Sequence, residues 1–255
     1  RVFDQIDFWS ALANSVIISG VSAVSVVFFS TLAGYSFAKL RFRGSNVGMA
    51  FVIATMAVPT QLALMPLLKE FSNLGLAGTR TAVVLPWLVT AFGVFFMRQF
   101  LVDAIPDELI EAARVDGCSQ LRTFFTVAVP AARPAMAILG LFTFMHTWTN
   151  FMWPLLILQG SDVQTLQTAL EQLKIAPAGG IADIALLQAG TLLATVPLLI
   201  LFTPGFEQRL KQFHDLFSNP RRGLQPVTLP QPLKQLFQGG QAVLIKGLDI
   251  AVALV

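Results

Sequence analysis

A charged segment at residues 103–133 stands between two apolar stretches of this sequence. Within about three helical turns it holds two acids and two bases, Glu111, Arg114, Asp116 and Arg122. Charges at this spacing can pair with a partner protein across an interface. The chain holds neither a nucleophile beside a base nor a HExxH or CxxC spacing, and its one cysteine is Cys118. We therefore assign no catalytic residue and no metal site, and we expect the segment to bind a protein.

Local signals predict two helices joined by a turn in this segment. Pro106 comes just before two acids, and a proline followed by acids is typical of a helix start, where the helix dipole is positive. Gly117 tolerates the left-handed conformation that ends many helices. Ser119 can cap a second short helix, which we expect Pro130 to end.

The composition is that of an integral membrane protein. The 255 residues are 55% hydrophobic and 12% charged, with a mean hydropathy of +0.70, whereas soluble domains carry about 25% charged residues. The net charge is +3 and the basic residues form no arginine-rich run, so we expect membrane lipid around the chain and no nucleic acid partner.

Five apolar stretches have about the 20 residues that a membrane span requires. They are residues 12–37, 47–68, 82–101, 135–158 and 184–202. Prolines within the second and third stretches should kink them, and kinked spans need neighbouring helices to satisfy the freed carbonyl groups. The predicted fold is an all-α integral membrane protein, a polytopic helix bundle with a pair of short helices at residues 103–133 outside the membrane.

The basic residues predict which side of the membrane each loop faces. Most of the 17 Lys and Arg residues share one side with residues 103–133, and the positive-inside rule makes that side cytoplasmic. The C-terminus is then cytoplasmic and the first residues are external, so we expect a six-span protein whose first span is missing here. We assign residues 1–209 to the membrane domain and residues 210–255 to a tail of unassigned role, whose last apolar piece is too short to span.

Four polar or aromatic residues in the fourth span invite functional interpretations. His146 and Asn150 are candidates for lining a solute path, because ionisable and polar groups inside a membrane are often functional. A hydrogen bond between helices is the alternative. Trp148 and Trp153 are interpreted as anchors at the membrane interface, with stacking on a sugar ring as the alternative.

The charged segment also fits a longer pattern: E-A-A, three residues, G, nine residues, then two aliphatic residues one apart and P. The matching residues are Glu111, Ala112, Ala113, Gly117, Val127, Val129 and Pro130. This resembles the EAA motif of ABC-importer permeases. The sequence of several other segments is similar to that of the carbohydrate-uptake branch, the maltose-type inner-membrane permeases. The similar stretches are AGYSFAKLRFRG, VPTQLALMPL, IPDELIEAARVDG and FTFMHTWTNFMWPLL. The resemblance extends over about residues 8–209.

The resemblance implies a transport function and a set of partners. It implies a second permease subunit, homologous or identical, two copies of an ABC ATPase, and an extracytoplasmic solute-binding protein, all at a bacterial or archaeal plasma membrane. ATP would be used by the partner ATPase and no cofactor would bind this chain, which lacks a GxxxxGK[ST] loop. The residues that the resemblance assigns to ATPase coupling are Glu111, Ala112, Ala113, Asp116, Gly117 and Pro130.

One departure and one alternative function qualify the resemblance. Family members usually read W-N-D/E-F in the fourth span, whereas Trp148, Thr149, Asn150 and Phe151 stand here, so a carboxylate is missing. The alternative is a secondary transporter or channel that needs no ATPase. It predicts paired charges within the membrane or an inverted repeat, and the spans carry almost no carboxylates. A membrane-embedded enzyme is the third and weakest interpretation.

Overall fold

Every regular element that the structure describes is helical. This computed structural model describes residues 6–40, 42–172 and 184–201, and the tail predicted at residues 210–255 lies outside them. Long apolar segments form helices in lipid because the helix satisfies each backbone N–H and C=O within the segment. The predicted all-α class is confirmed.

The first span is a single straight element. Helix α1, Phe8–Lys39, begins after Asp7, whose carboxylate accepts a hydrogen bond of 3.2 Å from the Ser10 backbone N–H. It has 32 residues and no internal proline, so nothing interrupts its backbone ladder. It covers the predicted span at residues 12–37 and is long and apolar enough to cross a membrane.

The second and third spans are bent pairs of helices. Helix α2, Ser45–Met56, is followed by a 3₁₀ turn, Thr60–Ala63, and helix α3, Leu64–Asn73, with a bend of 90°. Helix α4, Arg80–Val84, with the 3₁₀ turn Leu85–Trp87, meets helix α5, Ala91–Ala104, at 46°. The 90° bend lies at Pro59, which cannot donate a helical hydrogen bond. If each pair counts as one span, up to four spans are found in the searched part of the chain.

The charged segment and the fourth span form one short helix and one long one. Helix α6, Asp107–Val115, is followed by helix α7, Gln120–Thr123, a π-helical stretch, Phe124–Ala128, and helix α8, Val129–Thr149. The last three run on as a single helix of 30 residues. The prediction that Pro130 ends a short helix is therefore wrong. The Val129 backbone N–H donates a hydrogen bond to the Phe124 carbonyl, five residues back instead of four. This wider turn gives the ring of Pro130 room within a continuous helix.

The predicted fourth span at residues 135–158 is also wrong at its C-terminal end. Helix α8 ends at Thr149, Asn150 is extended at φ −68° and ψ 122°, and a new helix α9, Met152–Ile157, follows. The break places Pro154 in the first turn of α9. Residues in the first turn make no N–H hydrogen bond within the helix, so a proline is tolerated there. Helix α10, Leu166–Gln172, comes next, and helix α11, Ile184–Leu201, occupies the predicted fifth span.

Helix α1 is the centre of the packing, with α5 and α8 lying along it. At its crossing with α5, an added Cβ on Gly34 would lie 2.8 Å from both the backbone nitrogen of Arg98 and the Cβ of Met97. Gly93 belongs to α5, and a Cβ added to it would clash with the hydroxyl group of Ser30 on α1. Two glycines therefore permit the close approach of these helices, as small residues do in membrane bundles.

Candidate coupling segment and solute cavity

Helix α6 is fixed at its end by a hydrogen-bonded turn. Gly117 has φ +76°, its N–H donates to the Arg114 carbonyl at 3.0 Å, and the Cys118 N–H donates to the Ala113 carbonyl at 2.9 Å. This pair of bonds is the Schellman arrangement, which needs a left-handed residue and explains the glycine. The next helix is capped by Ser119, whose hydroxyl accepts from the Arg122 N–H at 3.3 Å. The turn predicted from the sequence is present.

The residues that the motif assigns to coupling lie on the accessible side of this segment. Ile110 is the inward-facing anchor of α6, with 3% of its surface exposed. Most of the motif side chains around it are exposed and Ala113 is half-buried. The exposed motif positions are Glu111, Ala112, Asp116 and Gly117. Pro130 is exposed too, but it lies in the first turn of α8 and apart from this cluster.

The segment also exposes apolar side chains, and one of them, Val115, lies one helical turn after the acid of the motif. Leu109, Val115 and Leu121 are all exposed, and Val115 is 88% exposed. A monomer gains nothing from presenting such a group beside Glu111, whereas a protein interface commonly combines an apolar centre with a polar rim. The surface formed by Glu111, Ala112 and Val115, here called the coupling face, can therefore receive another protein.

A small cavity between the helices, at which His146 is exposed and Asn150 is half-buried, brings together the two candidate solute-path residues. It has a volume of about 50 Å³, and His146 and Asn150 both line it. Hydroxyl groups from three elements line it as well, from Ser19 of α1, Thr90 before α5 and Thr143 of α8. Within the described ranges, the Ser19 hydroxyl and the Trp87 Nε1–H at the same cavity have no hydrogen-bond partner. Buried polar groups without partners favour a site that takes water or a hydroxylated molecule.

The two tryptophans of the fourth span are structural. Trp148 is 2% exposed and donates from Nε1 to the Ala194 carbonyl at 3.2 Å, and Trp153 is 1% exposed and donates to the Ala82 carbonyl at 3.1 Å. The interpretation of these residues as interface anchors is wrong, because protein covers both indoles, and in this structure neither ring is open to a sugar. Each indole instead links its helix to a distant one through a buried hydrogen bond.

Sequence reasoning missed the ion pair that holds the start of α6. The Lys39 Nζ donates to Asp107 Oδ1 at 2.9 Å and lies 3.4 Å from the Val102 carbonyl oxygen. In the sequence, Lys39 is one of the basic residues that predict the orientation, and Asp107 is one of the two acids after Pro106. The two residues are 68 positions apart, so no local spacing signals their contact.

Among the described residues, no group of three or more His, Cys, Asp or Glu side chains could hold a metal ion.

Comparison with known proteins identifies the family. Residues 8–206 match the family model described as the binding-protein-dependent transport system inner membrane component. The chain belongs to this family. It is 37% identical over 195 residues to an arabinooligosaccharide transport system permease protein of Halalkalibacterium halodurans, over 76% of this chain and 68% of that one. It is 34% identical over 200 residues to a lactose transport system permease protein of Rhizobium radiobacter, over 78% of this chain and 72% of that one.

A solved structure agrees on the fold. A chain of a bacterial ABC transporter involved in the import of the acidic polysaccharide alginate superposes with a TM-score of 0.70, at 23% identity, over 79% of this chain and 75% of that one. Together with the family match, this confirms the prediction from the EAA motif. The chain is a multi-pass inner-membrane permease subunit of an ABC importer. Membership of this family implies an ATPase, a solute-binding protein and a second permease subunit as partners.

Proposed function

We propose that this permease subunit carries a sugar or oligosaccharide inward across the plasma membrane. The two relatives above 30% identity named here are described as transporting arabinooligosaccharides and lactose, while an sn-glycerol-3-phosphate permease of Escherichia coli is 28% identical. The hydroxyl, amide and imidazole groups at the cavity suit a solute rich in hydroxyl groups. A cavity of about 50 Å³ holds only a few water molecules, so solute contact requires the helices to move apart.

The power for this movement is proposed to come from an ATPase that docks on the coupling face. The observation that supports it is the exposure of Glu111 and Ala112 on α6, beside the exposed side chain of Val115. Glu111 then makes a polar or ionic contact to the ATPase, Ala112 and Ala113 allow close approach, and Gly117 makes the turn. Asp116 and Pro130 belong to the same coupling loop.

The remaining assignments of the proposal follow from this docking. One ATPase copy docks on this subunit and a second on a homologous or identical permease, and an extracytoplasmic solute-binding protein delivers the solute. The coupling face and the C-terminus are cytoplasmic. The chain binds no cofactor and catalyses no reaction, since its named relatives are transport permeases and ATP is used by the partner.

Labelling of Cys118 tests the docking and the orientation together. This half-buried thiol is the only cysteine and stands one residue beyond Gly117. A membrane-impermeant maleimide should label it in inverted vesicles and not in right-side-out vesicles. Addition of the ATPase subunit should protect it.

A matched control places the thiol on the opposite side. Gln159→Cys in a Cys118→Ser background puts an exposed thiol beyond α9, so it should react only in right-side-out vesicles and show no protection by the ATPase. Labelling of Cys118 from outside would overturn the orientation. Labelling from inside without protection would overturn the docking proposal.

Uptake measurements test the sugar assignment. In proteoliposomes that contain the complete importer and its binding protein, radiolabelled arabinotriose should be taken up only with ATP. Asn150→Ala should lower that uptake by about tenfold, the effect of one lost hydrogen bond to a hydroxyl, while Cys118 stays protected. Thr149→Ala is the control, because Thr149 is exposed and bonds back to the Met145 carbonyl of its own helix. Equal uptake by both variants would remove Asn150 from the solute path.

A further inference from the structure

The inner end of α1 is attached to the start of the coupling helix through a buried lysine. The Lys39 side chain is 5% exposed, whereas its partner Asp107 is 63% exposed. The ammonium group donates to Asp107 at 2.9 Å, and the Val102 carbonyl at the end of α5 lies 3.4 Å away. One charged group therefore joins the last turn of α1 to the end of α5 and the first turn of α6.

One helical turn earlier, the same edge of α1 contacts the other arm of the segment. Tyr35 is 2% exposed and its ring lies 5.5 Å from the ring of Phe124, which is equally buried. Phe124 stands at the start of the π-helical stretch, directly after α7. Residues 35 and 39 share a face because they are four apart on a helix. The end of α1 thus holds both the helix before the Gly117 turn and the helix after it.

Through these contacts α1 meets both arms of the charged segment. Its neighbours along the membrane are α5 and α8, and at Gly34 the approach to α5 is too close for a side chain. A packed helix moves as a rigid element, since closely packed interiors transmit strain rather than absorb it. A displacement of α6 by a docked protein is therefore passed to the helix at the centre of the bundle.

We propose that Lys39 is the positioning residue that transmits movement of the coupling helix α6 to α1, through its ion pair with Asp107. This inference rests on the proposed docking of the ATPase at the coupling face. Lys39 itself has no contact with the solute cavity and does not belong to the E-A-A pattern. Its role is to make the helix that receives the force and the helix that lines the cavity move together.

The unequal burial of the two partners makes a directional prediction. Lys39→Met removes a charge and leaves Asp107 in contact with solvent, so the carboxylate stays hydrated. Asp107→Asn leaves an ammonium group buried without its counter-charge, which is the more damaging change. The double variant removes that buried charge, so it should perform better than Asp107→Asn alone and about as well as Lys39→Met.

The test measures solute uptake per ATP hydrolysed in proteoliposomes containing the complete importer, with radiolabelled arabinotriose as the probe. Lys39→Met should lower this ratio by about fivefold or more, within the range of directly coupled charged pairs. ATP hydrolysis and protection of Cys118 by the ATPase should persist. Lys39→Arg should restore the ratio, because the guanidinium group keeps the charge and can reach Asp107. Lys69→Met is the matched control, since Lys69 is exposed on α3.

The outcomes separate this inference from the proposed function. If Cys118 in the unaltered protein is not protected by the ATPase, the docking proposal fails. If Cys118 is protected and Lys39→Met keeps the unaltered ratio, or if the two single losses simply add in the double variant, the ion pair does not transmit the movement. Gel filtration in detergent confirms that each variant is folded, and the Lys39→Arg variant tests the proposal even where Lys39→Met is not recovered.

Discussion

Replacement of Gly34 by alanine should separate two helices that the fold holds in contact. The new Cβ would lie 2.8 Å from the Arg98 backbone nitrogen and from the Met97 Cβ, about 0.6 Å closer than the 3.4 Å at which ordinary van der Waals contact begins. A flexible side chain could turn away, but a backbone atom cannot. The crossing of α1 and α5 must therefore open, with loss of the packing around Ser30 and Gly93.

Gly20→Ala supplies the matched control for this change. Gly20 is in the same helix, and a Cβ there meets nothing within 4 Å. Both variants gain the same helix propensity, up to about 1 kcal/mol. That gain cancels when the two are compared, and the difference isolates the cost of overpacking, about 1–3 kcal/mol.

The free energy of unfolding of the isolated subunit measures this difference. Titration from a mild detergent into dodecyl sulfate can be followed by tryptophan fluorescence, because Trp148 and Trp153 are buried and report loss of the fold. Gly34→Ala should be less stable than Gly20→Ala by the stated amount. Equal stability of the two variants would refute the view that close backbone approach at Gly34 sets the position of α1 against α5.

Three further changes should each affect one contact. Gly117→Leu forces a branched side chain into φ +76°, at a cost of about 1–2 kcal/mol, and should lower uptake per ATP hydrolysed; normal uptake by this variant would contradict the coupling role. Trp153→Phe removes the 3.1 Å bond to the Ala82 carbonyl and should cost about 1–3 kcal/mol in the same detergent titration, whereas Trp9→Phe, at a site 67% exposed, should cost less. Ser119→Ala removes a helix cap worth about 0.5–2 kcal/mol, and faster amide hydrogen exchange at the start of α7 should reveal it; unchanged exchange would show that the cap is dispensable.

Sequence patterns predict those features of the coupling segment that depend only on neighbouring residues. Pro106, Gly117 and Ser119 act on residues within one helical turn, and the structure shows the helix start, the left-handed turn and the cap at those positions. Pro130 misled the prediction because its effect depends on the turn before it. A π-helical turn gives its ring room, and no single residue signals that turn.

These patterns do not predict which side chains are buried or which distant residues are paired. The buried hydrogen bonds of Trp148 and Trp153 go to Ala194 and Ala82, on segments far along the chain. An apolar face looks the same in sequence whether lipid or protein covers it, so the sequence alone favours the membrane interface for both indoles. Only the packing of α8, α9 and their neighbours distinguishes the two environments.

Four properties can be predicted without the structure: the membrane class, the approximate spans, the family and the place of the Gly117 turn. Apolar length, helix caps and a spaced motif are all properties of residues close together in the chain. The tertiary structure decided which polar side chains meet. Lys39 and Asp107 come from separate helices, as do the Ser19 hydroxyl group and His146 at the cavity. Their distances are set by how closely α1 packs on its neighbours, which no run of consecutive residues encodes.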